Sequence, residues 1–546
     1  MPGSWRNVPA AVSVRRFARA TLSRCTDLQV SVPRLLVAGL RGGGGKTLLS
    51  LGLAASFRSR GHGVAPFKKG PDYIDASWLS HAAGRPCRNL DLFLFSPPVA
   101  IRSFLDASKG ANIAIIEGNR GLYDGMDAEG SFSSGELAKL LKAPVVLSVD
   151  VTKTTRTAAA QILGCQTLDP EVSLAGVVLS RVAGSRHESV LRESIEGICG
   201  IPVLGAIPKL PEDIFPERHL GLVPPQETEL VEDPLSRVRE VAEKYLDLDG
   251  ILGVARAANT SSLNSELGLK DVGAGSTGQK GSAQAGGTVQ AQTDPVKIGV
   301  FRDEAFQLNS LESRTVKIGG FRDEAFQLNS LESRTVKIGV FRDEAFQFYY
   351  PENLEGLQEA GGELVEIPPT EAEELPEVDA LYLGGGFPET LAPRLSGNAS
   401  FLESVRSAAG AGLPIYAECG GAVYLGKRLH YEGESYALAG VIPVEYGFQA
   451  KPRGHGYTVL ETVAENPFFQ VGETLRGHEF HYTYMVSKPP EGLEFAFKMH
   501  RGFGFDGTHD GLRIGNVLAS YTHLHALGTP GWAPALVKAA RRFKTR

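Results

Sequence analysis

Leu35-Leu36-Val37-Ala38-Gly39-Leu40-Arg41-Gly42-Gly43-Gly44-Gly45-Lys46-Thr47 is the stretch whose reading decides the fold. A short continuous apolar run reads as a buried parallel strand, the glycines as a tight loop, and the segment after Thr47 as a helix. Strand, glycine loop and helix in that order make a P-loop. Its backbone N–H groups cradle phosphates, Lys46 reaches the terminal phosphate, and the Thr47 hydroxyl is placed to hold Mg²⁺. Gly42, Gly43, Gly45, Lys46 and Thr47 are therefore the first nucleotide-binding candidates. The first glycine stands one residue earlier than the GxxxxGK[ST] spacing allows, because Leu40 occupies its place.

Outward from this loop, apolar runs at 113–116, 144–147 and 176–179 alternate with longer amphipathic segments. That is an α/β pattern, a parallel sheet with helices on both faces and ligands at the carboxyl ends of its strands. We assign it to residues 32–250. After Ala257 aromatics vanish and Gly, Ser, Thr, Ala and Gln take over, a composition unable to bury a core. Residues 251–335 are read as a low-complexity linker. It contains a duplication: residues 296–315 recur at 316–335 with one change, Val300 to Gly320, and their first twelve recur at 336–347. Only the third copy continues into further sequence, so the second α/β domain spans 336–546 and the upstream copies are surplus. Residues 1–31, arginine-rich and without a long apolar core, are read as a poorly ordered extension rather than a transit peptide.

The 546 residues carry 62 acids against 56 bases, a net charge of −6 with no basic stripe, so a nucleic-acid partner is not expected. No apolar run approaches the length of a bilayer span, so no membrane partner is expected either. Five widely spaced cysteines without a CxxC pair fit neither a disulfide framework nor a zinc site, and a reducing cytoplasm is the expected compartment.

Two further segments of the first domain gather acids beside glycines at strand ends: Phe67-Lys68-Lys69-Gly70-Pro71-Asp72-Tyr73-Ile74-Asp75 and Glu117-Gly118-Asn119-Arg120-Gly121-Leu122-Tyr123-Asp124-Gly125. Hard oxygen donors of this kind suit Mg²⁺ held between protein and phosphates. Glu117, directly at the end of its strand, is with Thr47 the metal-ligand candidate. Lys68, Asp72, Tyr73, Asp75 and Asp124 complete the candidate ATP and substrate site. Taken singly, acids in turns are more often solvated turn-formers.

In the second domain Tyr416-Ala417-Glu418-Cys419-Gly420-Gly421 sets a cysteine on a turn between strand and helix, where helix N–H groups activate a thiol and form an oxyanion hole. Cys419 is the candidate nucleophile. Ser520-Tyr521-Thr522-His523-Leu524-His525, about a hundred residues later, supplies a candidate base, and we choose His523 over His525.

These motifs, with Gly84-Arg85-Pro86-Cys87-Arg88-Asn89-Leu90-Asp91, Glu217-Arg218-His219-Leu220-Gly221-Leu222, Leu383-Gly384-Gly385-Gly386-Phe387-Pro388-Glu389 and Gly477-His478-Glu479-Phe480-His481-Tyr482, resemble the cobyrinic acid a,c-diamide synthase family. The P-loop half resembles dethiobiotin synthetase, whose loop places five residues before its GK pair. The second half resembles class I glutamine amidotransferases. The resemblance implies amidation of two corrin carboxylates with ATP, L-glutamine and cobyrinate as substrates and Mg²⁺ as cofactor, within one chain or across a homodimer. It leaves open hydrogenobyrinate or a nickel sirohydrochlorin as the ring. A different class, a P-loop regulatory ATPase with a degenerate amidotransferase domain, would be free to lose Cys419 and His523, and both are present. Many class I enzymes carry His-x-Glu where this chain has His-x-His, so the third member of the triad is open, and Ser180 stands where similar proteins often have a base-facing Asn.

Overall fold

The structure, a computed structural model, describes residues 32–210, 217–218, 221–222, 225, 232–258, 335–487, 489–491 and 493–546. The extension 1–31, the linker and duplication from 259 to 334, and His219-Leu220 of the ERHLGL run lie outside these residues.

Strand β1 (Arg34–Gly39) is the centre of a seven-stranded parallel sheet. The chain adds β2 (Val64–Lys69), β3 (Arg88–Leu90) and β4 (Ile113–Glu117) on one side of it. It then adds β5 (Val145–Asp150), β6 (Leu174–Val182) and β7 (Val203–Pro208) on the other, giving the order β3-β2-β4-β1-β5-β6-β7. The carboxyl end of β1 is thus a topological switch point, where open α/β sheets bind ligands. Leu36 and Ala38 pack into one apolar layer and Leu35 and Val37 into the other. Burial on both faces is why the strand reads as an unbroken apolar run. Helix α1 (Lys46–Ser59) sends Leu49, Leu53 and Phe57 into the layer of Leu35 and Val37.

The boundary drawn at residue 250 falls inside a helix, Leu248–Ala257. Its Ile251, Leu252 and Ala255 join the same apolar layer, so the first half runs on through residue 258 before the low-complexity composition begins.

In the second half a ten-stranded sheet begins with five parallel strands, including Val336–Phe341, Ala380–Leu383, Ile415–Glu418 and Val517–Ser520. It continues with five antiparallel ones, which the sequence pattern did not foretell. Strands such as Gly454–Thr462 are only partly buried, as antiparallel strands with one face toward solvent can be.

The two halves meet at the end of β3. Arg88 forms two hydrogen bonds with the Glu355 carboxylate (2.8 and 2.6 Å) and lies 3.6 Å from the buried Glu352. Asp91 accepts a hydrogen bond from Tyr457 (2.6 Å), whose ring stacks on Phe93 at 4.3 Å. Asn89, between them, donates to the carbonyls of Gly70 and Asp72 (2.7 and 3.0 Å) and so ties this joint to the loop after β2. Replacing Arg88 by Ala is expected to lower unfolding stability by about 2 kcal/mol, because it breaks the paired bonds and strands Glu352. Denaturant unfolding checks this, and an unchanged midpoint would remove Arg88 from the joint.

Candidate functional site

At the P-loop, Gly43 and Gly45 have φ of 68° and 83°, left-handed values at which a side chain is strained. Gly45 caps α1 without any side-chain bond, so the first helical N–H groups stay available to an anion. Ser148, within β5, donates to the Gly44 carbonyl (2.7 Å) and anchors the loop. Lys46 Nζ donates to the Arg41 carbonyl (3.0 Å) and the Thr47 hydroxyl to Glu117 Oε1 (2.9 Å). Gly42 is exposed at the rim, outside the cavity that Gly43, Gly45, Lys46 and Thr47 line.

Lys68 is buried behind this loop, 2.6 Å from Asp75, 2.7 Å from Glu117 and 3.9 Å from Asp72. Burial alone would lower its pKa, but the charges of Asp75 and Glu117 outweigh that and hold it well above the ordinary value. Burial pushes the Glu117 carboxyl up to about 7, against the pull of Lys68. Burial and the Asp75 charge raise Asp72 to about 6. Asp75 is lowered: burial opposes this, and Lys68 overrides it. Asp124 lines the cavity and accepts the Gly121 N–H (2.8 Å), as a turn-former does.

The donor set suits Mg²⁺. Glu117 Oε2 is buried with no hydrogen-bond partner, beside the Thr47 hydroxyl on Oε1. Among the described residues no group of three or more His, Cys, Asp or Glu side chains forms a self-sufficient metal cage. One carboxylate and one hydroxyl leave the remaining positions to phosphate oxygens and water, as Mg²⁺ prefers.

Cys419 follows the strand Ile415–Glu418 and has φ 47°, ψ −104°, a strained elbow for a side chain. Its neighbours must be glycines. A Cβ on Gly421 would sit 2.5 Å from the Leu383 carbonyl oxygen, and one on Gly420 would sit 3.0 Å from the Gly386 nitrogen. The Cys419 N–H donates to Ser520 (2.7 Å) on the adjacent parallel strand, and His523 lies three residues beyond. Burial, then the Glu389 charge, pushes the thiol pKa up, while the Gly420 N–H pulls the other way. His523 faces Gly385 of the glycine loop and stacks on His478 at 4.8 Å. His525 points elsewhere, between Tyr350 and Phe95, with its pKa lowered to about 3 by burial and Arg88.

A single cavity of about 1380 Å³ is lined by the P-loop, Asp72, Tyr73, Asp75, Asp124, Ser180, His478 and His523. Tyr73 contributes its ring to the second half's aromatics: it stacks on Phe348 at 5.1 Å and lies 4.6 Å from Tyr350 and 5.4 Å from His523. Lys69, Arg120, Arg181, Lys209 and Arg501 line the same space and were not singled out from sequence. Lys69 and Arg120 stand inside the quoted runs and the other three in no motif; only the fold gathers the five.

A nucleotide-type P-loop half opening onto a cysteine-elbow half defines a class, an ATP-binding protein with a glutamine amidotransferase domain. Residues 35–222 match the CobQ/CobB/MinD/ParA nucleotide binding domain, and residues 337–530 match the CobB/CobQ-like glutamine amidotransferase domain. Cobyrinate a,c-diamide synthase of Magnetococcus marinus is 40% identical over 507 residues, covering 93% of this chain and 97% of that protein. Its namesake from Archaeoglobus fulgidus is 36% identical over 520 residues, covering 95% and 99%, and that from Methanosarcina acetivorans 35% over 538 residues, covering 94% and 96%. The chain belongs to the cobyrinate a,c-diamide synthase family, whose activity is a glutamine-dependent, ATP-driven amidation.

Burial also gives this region a pH signature. Glu352 is held up at about 7 by burial, against the pull of Arg88, from an ordinary value of 4.5. Its proton is kept longer in the folded than in the unfolded chain, so its stabilising contribution is full below about pH 4.5 and is lost as pH rises through about 7. Glu352→Gln should therefore reduce the fall in unfolding free energy between those limits, by up to about 3 kcal/mol. Denaturant melts across that range check it; an unchanged slope would contradict the assignment.

Proposed function

We propose that the chain amidates the a and c carboxylates of cobyrinate in cobalamin biosynthesis, using ATP and ammonia released from L-glutamine at Cys419. The observation that carries this reading is the one cavity reaching from Lys46 and Thr47 to His523. Pockets for a single small ligand run to about 1,000 Å³, so this volume has room for a nucleotide beside a second large ligand. The basic lining Lys69, Arg120, Arg181 and Arg501, interleaved with Met126, Phe132, Phe348 and Phe387, suits a broad apolar ring bearing several carboxylates.

In this reading the loop N–H groups and Lys46 bind the ATP phosphates. Thr47 and Glu117 would hold Mg²⁺, which when bound offsets phosphate charge. Asp72, Asp75 and Asp124 lie around the transferred phosphoryl group and the substrate, their charge balanced by Lys46 and Lys68. A substrate carboxylate attacks the γ-phosphorus and ADP leaves. In the resulting acyl phosphate the carboxyl carbon is no longer part of an anionic carboxylate and carries phosphate, a good leaving group, so both obstacles to amidation are removed. At the other end His523 takes the proton of the Cys419 thiol, the thiolate attacks the glutamine carboxamide, and ammonia departs with that proton, leaving a glutamyl thioester that water hydrolyses to glutamate and free Cys419. The ammonia attacks the acyl phosphate and expels inorganic phosphate. The cavity lies within one chain, so this route needs no second subunit, and the expected compartment is the cytoplasm.

Cys419→Ser is expected to abolish glutamine-supported amidation while ammonium at high concentration still sustains it. Product analysis should find one ADP and one phosphate per amide. Glutamine use by the serine variant would remove Cys419 from the mechanism, and AMP with pyrophosphate would replace the acyl phosphate by an adenylate.

A further inference from the structure

We propose that Glu418, the residue before the nucleophile, is the carboxylate that positions His523, standing in for the acid absent from the His523-Leu524-His525 segment. This rests on the reading of Cys419 and His523 as the glutaminase pair and adds to it the member that the sequence leaves open.

Glu418 is completely buried at the end of its strand. Its Oε1 accepts the Leu524 N–H (3.0 Å) and the Tyr416 hydroxyl (3.1 Å), and its Oε2 accepts the Tyr382 hydroxyl (3.1 Å). Three donors converge on this one carboxylate, and a charge buried there requires a partner of opposite sign. Among the described residues the basic nitrogen within ion-pair distance is His523 Nδ1, 3.5 Å from Oε2. That nitrogen is itself buried and has no hydrogen-bond partner. The two unmet needs face each other, and a contact of this length tightens when the ring gains its proton.

The backbone explains why the acid comes from this strand. Glu418 and Ser520 are register partners on adjacent parallel strands, so the chain carrying His523 passes directly over the carboxylate. The Leu524 N–H locks the carboxylate to the peptide that follows His523. Nδ1 approaches Glu418 while the ring's Cε1 lies against Gly385, with Nε2 and Nδ1 next nearest to it, and the neighbouring Gly386 abuts Gly420 beside the nucleophile. Glu418 thus fixes the ring against the glycine loop that abuts the elbow, and offsets the imidazolium formed when the thiol proton is taken. His525 holds the sequence place of the missing acid but cannot carry negative charge, and its Nε2 lies 3.7 Å from Glu352 instead.

The test compares Glu418→Gln and Glu418→Asp with the unaltered chain. Glutamine hydrolysis by the glutamine variant should lose at least ~100-fold in kcat with little change in KM for glutamine, while ammonium-driven amidation at the P-loop site stays within about two-fold. The aspartate variant should recover part of the lost kcat. Near-normal glutamine kcat in Glu418→Gln would overturn the proposal. Equal loss of the ammonium-driven reaction, or of folding, in both variants would also overturn it, by making Glu418 a structural residue. Failure of Cys419 itself to support hydrolysis is read separately from Cys419→Ser.

Discussion

The ring of Tyr73 is supplied by the first half of the chain and packed by the second, against Phe348, Tyr350, His478 and His523. The loop that carries it also carries Asp72 and Asp75, paired with Lys68 behind the P-loop. One eight-residue span therefore touches both chemistries, and its position is set by Asn89 in the joint that Arg88 and Asp91 make with the second half. In the proposed reaction ammonia must reach an acyl phosphate before water does, and a cavity continuous through one chain meets that requirement.

Charge at the two ends is handled in opposite ways. Around Lys68 three carboxylates share one buried ammonium; burial raises the pKa values of Glu117 and Asp72 against its pull, and an oxygen of Glu117 has no partner. In the proposed function a cation and phosphate would complete such a site. At the elbow, burial opposes ionisation of Cys419, so the thiolate depends on a base and on whatever fixes that base.

Much of this was legible in the sequence because it rests on local rules. An apolar run, a glycine loop and Lys46-Thr47 specify strand, loop and helix together, and Cys419 beside Gly420-Gly421 specifies the elbow, since a side chain at either glycine would strike the neighbouring loop. What escaped depends on distant residues meeting. Glu418 sat in plain view inside its motif, yet its partner lies over a hundred residues away and is reached only through strand register. The run around Arg88 was recognisable only by resemblance; its physical task, joining two halves, exists only once Glu352, Glu355 and Tyr457 are in place. The antiparallel strands were missed because half-exposed strands mix polar with apolar residues and lack the continuous apolar runs that marked the buried parallel strands.

The central claim is that the P-loop and His523 open onto one cavity through which ammonia passes, and the route of nitrogen tests it most directly. Amidation with amide-labelled glutamine in the presence of excess unlabelled ammonium, at a pH where free ammonia is scarce, should give product amides carrying the label almost undiluted. Product label diluted to the composition of the bulk ammonium would mean that ammonia leaves the protein before it reacts, and would contradict the account.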